Sequence, residues 1–270
     1  MVIRINDIED ERVELYTSYS EPQLFHYNEP ERGIFIAESP MVIERALDYG
    51  ARPVSVFLEE GERDNEAVRT IIDRVGDIDI FEAELSVINK ITGFNMTRGI
   101  LAAFERPQPP DIRELLNVSC CVAVLEDVMN PTNLGAIFRS AAALGVDAIL
   151  VTHGSTDPFY RRAARVSMGT VFQVPWTYIP EGEDYIGMLH KAGYCVISMA
   201  LVDGAVPVTD PELKKSEKLA VLLGSEGYGL KEETIAGSDH VVIIQMHNGV
   251  DSLNVAASSA IAFWELCGKN

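Results

Sequence analysis

Basic residues are scarce in this chain. Of its 270 residues, 22 are Lys or Arg against 41 Asp or Glu, a formal net charge of −19 at pH 7. That excludes a uniformly basic coat for nucleic acid, though not a local basic patch. Long apolar runs are missing as well: none reaches the roughly 18 residues of a membrane span. The opening MVIRINDIEDERVEL has no apolar stretch after its first charges, unlike a secretory leader. Cysteine is sparse. Cys120, Cys121, Cys195 and Cys267 form no CxxC, and adjacent Cys120 and Cys121 point to opposite faces of a strand, poor geometry for one metal. Buried core thiols in a reducing cytosol are expected. His26, His153, His190, His240 and His247 show no HExxH or paired spacing, so no metal site is expected.

What is there is ordinary globular usage, 47% hydrophobic and 23% charged, over a length that suits one large domain or two modest ones. Residues 1–32 are polar and acidic, with Tyr16, Tyr19, Phe25 and Tyr27 interleaved, and read as a leading helix and a loop. A regular alternation follows. Residues 33–37 and 54–58 read as strands. Ser39-Pro40 opens a helix that Gly50 ends, and residues 65–75 form the next helix. Another strand and helix run through Lys90, and residues 99–104 close this part as a strand. Such alternation predicts an α/β layer with a mainly parallel sheet. Arg106-Pro107-Gln108-Pro109-Pro110 cannot extend either neighbour and reads as an extended spacer. The expected division is a domain at 1–105, a linker at 106–117 and a second domain at 118–270. In that second domain 121–125, 148–151, 194–199, 219–223 and 241–244 read as strands. Residues 133–144, a segment near 158–166, and 254–267 read as helices.

Three segments of the second half carry chemistry. Asn130-Pro131-Thr132-Asn133-Leu134-Gly135-Ala136-Ile137-Phe138-Arg139 follows a strand and opens a helix. Asn133 suits its cap, and Arg139 is the conspicuous side chain among small neighbours. The plain alternative is a surface arginine with a buried stem. Next, Leu223-Gly224-Ser225-Glu226-Gly227-Tyr228-Gly229-Leu230 runs from a buried strand into a loop with three glycines and a carboxylate. That places the loop at the carboxyl edge of a parallel sheet, where α/β ligands bind. Its spacing is neither GxGxxG nor a P-loop, so a dinucleotide or nucleoside-triphosphate site is not expected. A tight turn with a solvated Glu is the alternative. Last, Ile244-Gln245-Met246-His247-Asn248-Gly249-Val250-Asp251-Ser252-Leu253-Asn254 ends a strand and starts a small-residue helix that Ser252 or Asn254 can cap.

Taken in order, Asn-x-Gly-x-x-x-Arg, Gly-Ser-Glu-Gly-x-Gly-Leu and Ser-Leu-Asn-Val-Ala resemble the SpoU (TrmH-type) RNA ribose 2′-O-methyltransferases of the SPOUT class. Phe35-Ile36-Ala37-Glu38-Ser39-Pro40 and the stretch from Ile91-Thr92-Gly93 through Arg98-Gly99-Ile100 resemble the small RNA-binding domain that many members carry, similar to a ribosomal-protein fold. The resemblance implies a small N-terminal α/β domain plus a C-terminal α/β domain with a deep trefoil knot, an exception to the usual connection rules. It also implies S-adenosylmethionine bound in a bent form, and homodimers. Gly224, Ile244 and Leu253 match backbone contacts to that cofactor. Gly227 belongs to the same loop, and Leu223, Met246 and Met199 are expected to line the pocket. Arg139 matches the catalytic arginine, and Asn133, Glu226, Ser252 and Asn254 match the other polar positions of the active site.

A ribose 2′-hydroxyl is a poor nucleophile until its proton is removed or shared, so the protein must align oxygen, methyl and sulfur and handle one proton. An arginine base is awkward, since guanidinium has a pKa above about 12. Arg139 is therefore expected to bind phosphate or the reacting oxygen and to help proton transfer, and Glu226 to organise the loop. Arg161, Arg162 and Arg165 share one broad helical face and are expected to contact RNA, with a solvated face as the alternative. Ribosomal RNA is preferred over transfer RNA, in the cytoplasm, because an extra recognition domain is commoner in the ribosomal-RNA members. Two rival readings stand beside this one. The first is a non-catalytic RNA- or ribosome-binding protein that keeps the fold. The other is a nucleotide-dependent oxidoreductase, against which the missing GxGxxG argues.

Overall fold

The computed structural model describes residues 1–30, 32–92 and 99–268, in two units. One comprises Met1–Gln108 with Phe159–Phe172, the other Pro109–Pro158 with Gln173–Asn270. Part of the stretch likened to an RNA-binding domain, residues 93–98, lies outside the described residues.

The first unit begins with β1 (Val2–Arg4), α1 (Glu14–Thr17) and α2 (Glu21–Phe25), the last opened by a capping box between Ser20 and Gln23. So the expected leading helix is a strand and two short helices. Three residues are too few for a periodicity to announce β1. Then come β2 (Ile34–Glu38), α3 (Pro40–Asp48), β3 (Pro53–Glu59), α4 (Glu66–Val75), β4 (Asp79–Ala83), α5 (Leu85–Thr92) and β5 (Ile100–Glu105). Ser39 occupies the cap position of α3, but its hydroxyl makes no capping bond. The sheet runs β1-β4-β3-β5-β2 and is mixed, not mainly parallel. β1, β4 and β3 are mutually parallel, whereas β5 is antiparallel to both β3 and β2. Apolar alternation reports the faces of a strand, not its direction. The core gathers Ile5, Phe57, Phe81, Ile88 and Leu101. Tyr16 joins it, its hydroxyl 2.8 Å from Ser55 Oγ and accepting from Ala103 N at 3.2 Å.

The second unit starts with α6 (Ile112–Val118), which occupies the second half of the expected linker and ends on the first residue of the expected second domain. Asp111 caps it, accepting from Arg113 N (2.9 Å) and Glu114 N (3.1 Å), while Leu115 and Leu116 bury its inner face. It continues with β6 (Cys121–Leu125), α7 (Pro131–Leu144) and β7 (Ala148–Val151); α8 (Arg161–Val166) belongs to the first unit. Then follow β8 (Trp176–Tyr178), α9 (Tyr185–Lys191), β9 (Cys195–Met199), β10 (Val206–Pro207), β11 (Leu219–Leu223), α10 (Glu232–Ala236), β12 (His240–Ile243) and α11 (Val255–Leu266). All seven strands are parallel, in the order β10-β12-β9-β11-β6-β7-β8. β6, β7 and β11 are buried along their whole length, as unbroken apolar runs in a sheet covered on both faces should be. The start of β6 lies beside the end of α11, and Cys121 and Cys267 are disulfide-bonded there across 146 residues, with their Cα atoms 5.8 Å apart. This corrects the expected four thiols: Cys120 (exposed) and Cys195 (half-buried) alone are free. Spacing in the chain cannot reveal that juxtaposition.

The segment Phe159–Phe172, expected in the second domain, packs with the first unit through aromatics. Phe35 meets Phe159 at 5.1 Å and Phe172 at 5.4 Å between ring centres, and those two stack on each other at 5.1 Å. Arg45 Nη1 donates to Met168 O at 2.8 Å. No helix among the described residues is long and apolar enough to cross a membrane.

Candidate active site

In the parallel sheet β6 and β11 are neighbours. From β6 the chain proceeds to β7 on one side, while β11 borders β9 on the other. A crevice opens at the carboxyl ends of strands where the order reverses in this way. The loops after β6, β11 and β12 all lead from that edge.

The loop after β6 ends at α7, whose cap is Asn130: its Oδ1 accepts from Thr132 N at 2.8 Å, and Pro131 takes the first helical position. Asn133, expected to be the cap, instead lies inside the first turn, 9% exposed. Its side chain is thereby released for a bridge. Nδ2 donates to Glu226 Oε1 at 2.6 Å, and Oδ1 accepts from Asn254 Nδ2 at 3.1 Å. Asn254 in turn caps α11, its Oδ1 accepting from Ala256 N at 2.9 Å. Only one orientation of both amides serves this chain, because an ionised carboxylate can only accept. Three segments far apart in sequence thus meet in one run of hydrogen bonds.

The loop after β11 folds back on itself. Ser225 N donates to Gly229 O (3.1 Å) and Gly229 N to Ser225 O (2.9 Å), while Ser225 Oγ accepts from Tyr228 N (3.2 Å). Gly229 has φ +69°, and at Gly224 a Cβ would stand 2.2 Å from the Gly229 carbonyl carbon. Between this loop and those after β9 and β12 lies a cavity of about 600 Å³. Glu226, Ser252 and Asn254 give its wall a polar part, and Met199, Leu223, Ile244, Met246 and Leu253 an apolar part, with Gly224 between. The size suits a small cofactor. A wall with an apolar side for a flat base and a polar side for a charged tail fits a nucleoside carrying an amino acid.

Not every expected residue faces this cavity. Gly227 is exposed on the loop and is not part of the wall. Arg139 is exposed on α7, away from the wall, with no hydrogen bond or ion pair among the described residues. Arg161 Nε and Arg165 Nη1 lie 3.8 and 3.1 Å from the buried Glu38 of the first unit, and Arg162 is exposed. Leu201, Val202 and Tyr228, which sequence reasoning passed over, also line the cavity. Their signal was position: Leu201 and Val202 follow β9, the strand beside β11. No group of three His, Cys, Asp or Glu among the described residues can hold a metal ion.

The SpoU rRNA Methylase family matches residues 121–264. An uncharacterised tRNA/rRNA methyltransferase of Mycobacterium tuberculosis is 35% identical over 235 residues, 87% of this chain and 81% of that protein. The 23S rRNA (guanosine-2′-O-)-methyltransferase RlmB of Acinetobacter baylyi is 27% identical over 80% of this chain and 89% of its own length. The crystal structure of an AdoMet-bound rRNA methyltransferase from Sinorhizobium meliloti superposes with a TM-score of 0.82 at 25% identity, covering 98% of this chain and 97% of that one. The match spans the parallel sheet and all three loops that meet at the cavity, and the chain belongs to the SpoU rRNA methylase family.

Proposed function

We propose that the protein transfers a methyl group from S-adenosylmethionine to a ribose 2′-hydroxyl in structured RNA, with ribosomal RNA preferred over transfer RNA. The observation that carries this reading is the hydrogen-bonded run Glu226–Asn133–Asn254 beside a cofactor-sized cavity. The names of RlmB and of the AdoMet-bound Sinorhizobium enzyme support it. When bound, S-adenosylmethionine supplies a methyl already activated on a sulfonium. Met199, Leu223, Ile244, Met246 and Leu253 hold the apolar part of the cofactor, and Gly224 lets the backbone approach it. Gly227 serves the loop from its outer side. Asn133 fixes the Glu226 carboxylate, and Asn254 fixes Asn133. Ser252 offers a hydroxyl to the incoming ribose. Arg139, uncommitted to any partner among the described residues, binds a phosphate or the reacting oxygen. It stabilises charge there while keeping its own proton, and so eases loss of the 2′-hydroxyl proton to an RNA phosphate or to solvent.

In this reading the first unit recognises RNA and is the ribosomal-protein-like domain that the resemblance implies. Arg161, Arg162 and Arg165 contribute at α8, where RNA competes with Glu38 for two of them. The protein works as a homodimer in the cytoplasm. Support for the dimer comes from α11, a largely apolar helix whose Ala257, Ile261 and Trp264 form an exposed row at i, i+4 and i+7. The trefoil knot belongs to the same proposal. The insertion of β11 between β9 and β6, with α11 packed along α7, supports it. The test is transfer of labelled methyl to separated ribosomal and transfer RNA, with Arg139→Ala alongside. Label in an alkali-resistant dinucleotide of ribosomal RNA, lost in the variant, is expected. Cofactor binding without label in either pool would sink the catalytic reading.

A further inference from the structure

Glu126 follows directly after β6 and is 1% exposed, yet none of the roles above uses it. Its backbone N donates to Leu223 O at 2.9 Å, the last residue before the loop that carries Glu226. Its side-chain Oε1 accepts from Lys231 N at 2.7 Å, the first residue after that loop. One residue therefore bonds to both ends of residues 224–230. The other oxygen, Oε2, accepts from Thr234 Oγ1 at 2.6 Å and from the Tyr185 hydroxyl.

All these donors are neutral. A buried carboxylate is costly unless fully hydrogen-bonded, and an apolar side chain of similar volume would fill the same space more cheaply. What the carboxylate adds is strong, directional acceptance at several points at once. Tyr185 is suited to its part, since burial, and then the bond to Glu126, raise its phenol pKa and keep it a donor.

We propose that Glu126 is a positioning residue that clamps the two ends of the 224–230 loop and thereby sets the cofactor-binding wall and the place of Glu226. The proposal rests on the reading of that loop as the cofactor loop. A brace that served only general stability would lower the unfolding midpoint and leave cofactor affinity in the folded protein unchanged.

Calorimetric titration of the full chain with S-adenosylmethionine separates the cases. Glu126→Ala is expected to weaken cofactor binding about tenfold or more, with the RNA dissociation constant within about twofold of wild type. Glu126→Gln should restore affinity to within about threefold. Its amide oxygen can still accept from Lys231 N, while its NH2 group donates to the hydroxyl oxygens of Thr234 and Tyr185. A second pair covers the case in which Glu126→Ala does not fold. Lys231 has φ −63°, which suits proline, so Lys231→Pro deletes the clamped N–H without forcing that angle. Lys231→Ala keeps the N–H and loses only the 3.5 Å pair with Asp127. Lys231→Pro should follow Glu126→Ala, and Lys231→Ala should follow wild type. Folded Glu126→Ala or Lys231→Pro with wild-type cofactor affinity would overturn the proposal while the functional reading stood. Wild-type protein that binds no S-adenosylmethionine would instead overturn the functional reading.

Discussion

A Cβ on Gly224 would lie 2.2 Å from the Gly229 carbonyl carbon and 2.4 Å from Leu230 N, backbone atoms that cannot swing aside. At Gly227 a Cβ would meet nothing within 4 Å. Gly224→Ala is therefore expected to cost about 1–3 kcal/mol, as overpacking does, and to abolish cofactor binding by opening the loop. Gly227→Ala should stay within about 0.5 kcal/mol of wild type. Urea midpoints and a cofactor titration of the two variants check this, and equal behaviour would contradict it. In the sequence these glycines look alike: their spacing marks a loop that serves a ligand, but not which of them is pressed against backbone. Asn130 and Asn133 pose the same problem. Both suit a cap, and only Pro131 between them hints that the helix starts early enough to place Asn133 inside it. The resemblance pointed to Asn133, Glu226 and Asn254 as site residues. Their mutual hydrogen bonds lie beyond any sequence pattern, because they join positions 93 and 121 residues apart.

Elements were legible in proportion to their length and burial. β6, β7 and β11 announce themselves as unbroken apolar runs bounded by turn residues, and two of them, β6 and β11, lead into loops of the site. β1, β8 and β10, with three, three and two residues, are too short to show a period. The sequence shows α11 as a helix with Ser252 or Asn254 as its cap, and Asn254 takes that place. What its composition adds is an unfilled contact. Ser259, Ala262, Phe263 and Leu266 are buried, yet Trp264 on the other side is 72% exposed and Ile261 37%. A large aromatic that exposed, in a row with Ala257 and Ile261, matches the centre of a protein interface. Trp264→Glu should weaken self-association by about 2 kcal/mol or more, roughly thirtyfold, while leaving the circular dichroism spectrum unchanged. Sedimentation of both proteins over a concentration series decides. A wild-type chain that stays monomeric at tens of micromolar, or a variant as dimeric as wild type, would remove α11 as the interface.

Over the whole molecule, composition gives the net charge by simple counting, whereas it gives nothing of the course of the chain. Nothing in the spacing of Phe159 and Phe172 says that they pack on Phe35, well over a hundred residues earlier, because aromatic burial has no sequence signature of its partner. At alkaline pH the buried tyrosines matter, because unfolding lets them ionise and adds to the net charge of −19. Tyr16, Tyr185 and Tyr194 all have phenol pKa values raised from 10.0, with burial the first cause in each. In the unfolded chain such phenols lose their protons near pH 10. In the folded protein they keep them to higher pH. Above about pH 10 the unfolded state therefore binds fewer protons, and stability falls as pH rises. For the fully buried Tyr16 the slope is about 1.4 kcal/mol per pH unit until it ionises in the fold. The thermal midpoint is thus expected to be nearly flat between about pH 7 and 9 and to drop steeply beyond 10. Tyr16→Phe forfeits the bonds to Ser55 Oγ and Ala103 N, a loss present at every pH, but it also removes one titrating group. Its midpoint should start lower and fall less steeply, so that the two curves converge above pH 10. Parallel curves would show that Tyr16 ionises in the folded protein as easily as in the unfolded one, and that the alkaline transition belongs to other groups.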